Sequence, residues 1–172
     1  MVILYLLAPK GWVRILPTLT FMYPDNGRES QIVALRASNR TKKEIEMFEL
    51  SDPGVHNAFK IILKNVDPVD IYRISTSRNA VIKFWKYLIN RPRPIQVNRS
   101  IEILDSTTAN TPSYPSGHSY QAFLVAMHYS AKYPELSDDL YSMAEAIGQS
   151  RIAAGLHYPS DHEFSKKLLN FL

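Results

Sequence analysis

The chain has 172 residues, a single-domain length, with an ordinary globular balance of 45% hydrophobic and 21% charged residues. Its net charge of +4 suits an anionic substrate or surface, but lysine and arginine form no dense block, which argues against nucleic-acid binding by a basic tail. There is no cysteine, which excludes disulfides, thiolate metal sites and cysteine nucleophiles, and no apolar run approaches the roughly 20 residues of a membrane-spanning helix.

Residues 1–8 are apolar but short, and Pro9, Lys10 and Arg14 interrupt them. They lack a preceding basic segment and a small-x-small cleavage site, so they read as a buried strand or packing segment rather than a signal peptide. With Pro17, Pro24 and the Asp25-Asn26-Gly27 turn signal, residues 1–27 form an irregular N-terminal arm. The protein is expected to be soluble: cytoplasmic if this terminus is native, periplasmic or secreted if a signal peptide has been removed.

Residues 28–172 read as one helical domain. From Glu29 an apolar stripe runs through Ile32, Leu35, Ile45 and Phe48, with Ser38-Asn39 as a break. Asp52-Pro53 and Asp67-Pro68 each have the form of an N-cap followed by proline at the first helical position. The second is expected to open a helix through Ile71, Ile74, Ile82 and Trp85 to about residue 90, where Pro92 and Pro94 stop it. Residues 95–117 read as a long loop, of the kind that is usually functional. Further helices are expected over 118–132, over 137–154 and from Ser160 onward. The fold class is mainly α, a single-domain helical bundle.

Three short stretches carry chemistry. In residues 86–94, Lys86 sits near a helix end and Arg93 beyond the proline break, so a point charge and a planar fork can meet one oxyanion. Cations placed at a helix C-terminus explain the same residues without a ligand. In Pro115-Ser116-Gly117-His118, the glycine permits close backbone approach, the following helix aims N–H groups at an anion, and His118 can transfer protons. An ordinary turn with a serine cap is the competing reading. In residues 150–161, Gly155 and Pro159 end the helix that holds Arg151, so His157 can turn back, and Asp161 can hold one of its ring nitrogens. Ser160 with Glu163 also has the form of a capping box. His56, His128 and His162 read as core or surface residues, while Trp85, Tyr87 and Tyr114 could either pack or line the site.

Taken together, Lys86-x6-Arg93-Pro94, Pro115-Ser116-Gly117-His118 and Ser150-Arg151-x5-His157-x3-Asp161 resemble, in order and spacing, the three-part signature of the type 2 phosphatidic acid phosphatase superfamily. The surroundings of the second and third parts most resemble the soluble bacterial class A non-specific acid phosphatases. The resemblance covers about residues 67–165; the N-terminal third does not follow the class A pattern.

The resemblance implies a metal-independent phosphomonoesterase with no cofactor. In it Lys86, Arg93 and Arg151 hold the phosphoryl oxygens, and Ser116 and the Gly117 N–H assist. His157 becomes phosphohistidine, Asp161 orients it, and His118 protonates the leaving oxygen and then activates water. The expected pH profile is bell-shaped on the acid side. The implied partner is a small phosphate ester, with no nucleic acid, no transmembrane segment and homo-oligomerisation left open. Vanadate is expected as a phosphate mimic and inhibitor. The alternatives are a vanadate-dependent haloperoxidase and a lipid-phosphate or diphosphate phosphatase acting from the membrane surface.

Overall fold

The structure is a computed structural model that describes residues 19–169. Most of the N-terminal arm read from the sequence, residues 1–18, lies outside the described residues. Within them every regular element is a helix and there is no strand, in line with the mainly α expectation.

Helix α1 (Asn26–Ser38) starts three residues before Glu29, because the Asp25 side chain accepts the Arg28 amide at 2.8 Å. The sequence Asp25-Asn26-Gly27 is thus a helix start rather than a free turn. The break at Ser38-Asn39 is real, and α2 (Lys42–Ser51) begins on a complete capping box between Thr41 and Glu44.

Asp52-Pro53 does not open a helix. Asp52 closes α2, its amide donating to the Phe48 carbonyl at 2.8 Å, and only the single turn α3 (His56–Phe59) follows. Asp67-Pro68 does open one: Asp67 accepts the Val69 amide at 2.8 Å ahead of α4 (Pro68–Thr76).

The single helix expected from there to Asn90 is two. Ser75, Thr76 and Ser77 turn their hydroxyls back onto the carbonyls of Tyr72 and Ile74, competing with the helical ladder where α4 ends. Helix α5 (Asn79–Ile89) then ends on Asn90 in the left-handed region, φ 54°. The expected loop begins with one helical turn, α6 (Pro94–Val97).

Helices α7 (Gly117–Lys132) and α8 (Ser137–Ala153) start and stop within a residue of expectation. Helix α9 (Pro159–Leu169) starts one residue earlier than read. Ser160 lies inside α9 rather than at its N-cap, the position a Ser160–Glu163 capping box requires, and its hydroxyl donates to Glu29.

Helices α7 and α8 form the central pair, with α2 packed on α8, and α4 and α9 on α7. Ile71, Tyr120, Val125, Leu140 and Ile147 fill the core between them, each essentially without exposure. Burying an aliphatic or aromatic side chain of this size stabilises the fold by about 1.5–3 kcal/mol. Trp85 and Tyr114 are packing residues. Trp85 sits edge-on to Phe164, and Tyr114 stacks on Phe164 with its hydroxyl donating to the Met22 carbonyl at 3.1 Å. His162 is buried, as the core reading expected.

Candidate active site

The first stretch supplies two buried cations from either side of a chain reversal. Lys86 lies in the last turn of α5, and its Nζ donates to the carbonyls of Pro112 (2.7 Å) and Ser113 (3.3 Å). The left-handed Asn90 and the prolines at 92 and 94 then extend the chain at Arg93, φ −69° and ψ 153°. Arg93 donates to the Thr111 carbonyl at 3.0 Å and to the Leu156 carbonyl at 2.7 Å. The two cations thereby fix the loop that leads into the second stretch.

That loop enters α7 through a cis Tyr114-Pro115 peptide and the N-cap Ser116. Gly117 and His118 line a cavity of about 330 Å³, together with Lys86, Val55, Tyr72 and Thr111. A Cβ on Gly117 would meet Ile82 and Lys86 at 3.8 Å, an ordinary contact. No neighbouring protein atom therefore demands glycine here, and its bareness leaves this wall of the cavity open. The Asp52 carbonyl lies 3.1 Å from His118 Nε2. A carbonyl can only accept, so Nε2 carries the proton and Nδ1 is the nitrogen left for proton transfer.

The third stretch folds back as its sequence suggests. Helix α8 stops at Ala153, and Gly155 takes φ +76°, a conformation that L side chains rarely adopt. A Cβ there would also lie 2.8 Å from Ile101. His157 then sits with Nδ1 3.0 Å from Asp161 Oδ2 and Nε2 2.9 Å from Arg93 Nη1. Arginine has no acceptor, so Nε2 presents its lone pair and Nδ1 carries the proton held by Asp161. Asp161 also accepts from Ser113 Oγ and from the Tyr158 amide.

Three further residues build the site and escaped the sequence reading. Arg91 is fully buried and forks between Asp161 Oδ1 (2.7 Å) and Glu29 Oε2 (2.6 Å), with its guanidinium over the rings of Tyr158 (3.8 Å) and Tyr23 (4.3 Å). Asp52 accepts from Arg151 Nη1 at 2.6 Å and also gathers Ser106, Thr107 and Thr108 from the long loop. The available signal for Arg91 was the doubled Arg-Pro of residues 91–94. For Glu29 and Asp52 there was none, since these partners lie more than 50 residues away.

Burial dominates the electrostatics. It pushes His157 well below the ordinary histidine range, and the Arg93, Lys86 and Arg151 charges push it further. Burial and then Arg151 bring His118 down to about 3. Both imidazoles are therefore neutral at neutral pH in the free protein. Burial lowers Lys86 well below its usual value, with Arg93 adding to the effect, and lowers Arg93 to about 10. Asp52 is opposite: burial raises it, but hydrogen bonds from Ser106 and Arg151 outweigh that and hold it well below the usual carboxylate range. The site thus keeps its two histidines uncharged.

The helical bundle thus surrounds a neutral, carboxylate-held imidazole with the buried side chains of Lys86, Arg93 and Arg151. The description "PAP2 superfamily" matches residues 71–165, and the chain belongs to that family. It is 37% identical over 140 residues to a non-specific acid phosphatase of Salmonella typhi, covering 74% of this chain and 56% of the relative. It is also 37% identical over 57 residues to a non-specific acid phosphatase of Salmonella typhimurium, covering 33% of this chain and 23% of the relative. The chain thus spans about half the length, or less, of these curated relatives. In fold it is similar to a transmembrane PAP2-type phosphatidylglycerolphosphate phosphatase from Bacillus subtilis, with TM-score 0.54 and 19% identity over 83% of this chain and 78% of that one. Among the described residues here, no helix is long and apolar enough to cross a membrane.

Proposed function

We propose that this protein is a soluble, metal-independent phosphatase that hydrolyses phosphomonoesters through a phosphohistidine on His157. The observation that carries the reading is the state of His157: neutral, with Nδ1–H on Asp161 and the Nε2 lone pair turned toward the Arg93 guanidinium.

An arriving phosphoryl group takes over the Lys86 and Arg93 donors that now rest on main-chain carbonyls and on Nε2, and meets the unpartnered Nε of Arg151. Arg93, Lys86 and Arg151 then bind its non-bridging oxygens, with Ser116 and the Gly117 N–H beside them. Nε2 attacks phosphorus, the P–O ester bond breaks, and its electron pair leaves on the ester oxygen. That oxygen takes a proton from His118. Asp161 holds the positive charge that builds on His157. In the second half, neutral His118 takes a proton from water, the hydroxide attacks phosphorus, and the P–N bond returns its pair to Nε2. Inorganic phosphate leaves. Fixed cations and positioned donors supply the charge stabilisation that phosphoryl transfer needs.

His118 is neutral in the free protein, so its acid form arises on binding. A phosphate monoester monoanion carries the required proton, since the second ionisation of such esters falls near pH 6. This supports an activity that is highest on the acid side.

A hydrolysis screen over phosphate esters with a chelator present, comparing wild type with His157→Ala, tests the reading. Chelator-resistant turnover by wild type alone is expected, with vanadate inhibiting it. Activity lost in chelator, or equal in the two proteins, overturns it.

A further inference from the structure

Glu145, His162, Ser119 and Ser116 form one hydrogen-bonded chain that runs from the surface of α8 to the N-terminus of α7. His162 Nε2 lies 3.0 Å from Glu145 Oε1, and His162 Nδ1 lies 2.9 Å from Ser119 Oγ. Ser119 Oγ donates to Ser116 Oγ at 2.9 Å. Glu145 is partly exposed, while the other three are buried. The imidazole fits only because residue 148 is glycine; a Cβ there would lie 2.1 Å from the ring.

The direction of each bond follows from its neighbour. Ser119 spends its hydroxyl proton on Ser116, so it must accept from His162, and Nδ1 is protonated. Glu145 faces Nε2 with a carboxylate, which can only accept, so Nε2 is protonated too. The geometry is that of an imidazolium. Its surroundings favour that charge. Glu145 faces it from α8, with Gln149 also donating to Oε1 at 2.9 Å, and Glu163 lies 3.9 Å away on α9. The Lys166 ammonium is shared between those two carboxylates at 3.3 and 3.1 Å, and from α7 the Phe123 ring lies beside the imidazole, with ring centroids 5.8 Å apart. Ser116 meanwhile accepts from the Ser119 hydroxyl and, at 3.4 Å, from the Ser119 amide. Among the described residues nothing accepts the Ser116 proton, so it is left for a ligand.

We propose that His162 is a positioning residue for the phosphate site. Its imidazolium form directs the Ser119 proton onto Ser116 and so frees the Ser116 hydroxyl to donate to a phosphoryl oxygen. When Nδ1 loses its proton to solvent, Ser119 turns to donate to Nδ1, Ser116 donates to Ser119, and the site loses that donor. The chain thus couples oxyanion binding to a group outside the cavity. The proposal rests on the phosphatase reading only in taking Ser116 as a phosphoryl ligand.

Sulfate, a tetrahedral oxyanion, probes the chain without turnover. Its affinity is measured by calorimetry for wild type, Glu145→Gln, Ser116→Ala and the double variant, at about pH 5 and about pH 8. Glu145→Gln is expected to weaken sulfate by about tenfold at the lower pH, the scale of one hydrogen bond to a charged group. The same substitution should be silent in the Ser116→Ala background. Ser119→Ala serves as a second background, and Glu145→Gln should be silent there as well. Simple charge removal works in the opposite sense, since losing a carboxylate strengthens anion binding. Tighter or unchanged sulfate binding in Glu145→Gln, or equal weakening in every background, overturns the proposal. Sulfate binding without any aryl phosphate turnover by wild type overturns the phosphatase reading alone, while absence of sulfate binding overturns both.

Discussion

Asp52 Oδ1 lies 2.6 Å from Arg151 Nη1, across 99 residues of sequence and with both side chains buried. This pair joins the N-terminal third of the chain to the third stretch of the site. The same residue reaches His118 through its carbonyl and the long loop through Ser106, Thr107 and Thr108. Asp52→Ala leaves Arg151 buried without its carboxylate, a change that costs about 3–5 kcal/mol when a buried pair is broken. Denaturant unfolding is expected to show that loss, with Asp52→Asn intermediate because it keeps an acceptor. Wild-type stability in Asp52→Ala would count against the pairing.

Arg91 bridges two carboxylates, Asp161 in the candidate site and Glu29 on α1. Their attraction, led by Asp161, outweighs burial and raises Arg91 above its usual value. Arg91→Met strands both carboxylates and should destabilise the fold by about 3–5 kcal/mol. Adding Glu29→Gln removes one stranded charge, so the double variant should be more stable than Arg91→Met alone. Strict additivity of the two substitutions is the outcome that refutes the bridge.

His118 and His157 are buried neutral, so acid destabilises the free fold. The sign follows from proton counts: below about pH 6.5 the unfolded chain binds protons that the native state refuses. Each such histidine costs about 1.4 kcal/mol per pH unit below its unfolded value, and for His118 this continues down to about 3. Thermal unfolding is therefore expected to fall steeply between about pH 6 and pH 4. Sulfate should restore stability more at the acid end, because binding an anion draws protons onto the site. An equal sulfate shift at both ends contradicts proton-coupled binding.

The candidate site was legible where its geometry is set locally and obscure where a residue serves a distant partner. Lys86, Arg93, Ser116, Gly117, His118, Arg151, His157 and Asp161 could be read because their spacing is set by one turn or one helix end. Arg91 fell between Lys86 and Arg93 as an unremarked position, although its side chain is fully buried. Asp52 was read for its local pattern, an acid before proline, when its role is decided 99 residues away. The same limit split the helix expected from Pro68 to Asn90: its apolar spacing continues, but the hydroxyls at 75–77 bond backward and end α4. Asp25, by contrast, has the cap chemistry that a local reading can recover, once the glycine at 27 is taken as part of a first helical turn.

The most direct test is the covalent state of His157 during turnover. Rapid quenching of wild type with a phosphorus-labelled aryl phosphate is expected to trap label on the protein, stable to base and labile to acid, mapping to His157. The label should be absent from His157→Ala, and it should accumulate in His118→Ala when an activated leaving group is used, because the water step still needs His118. Turnover with no protein-bound label at any time, or label that persists in His157→Ala, would contradict the account.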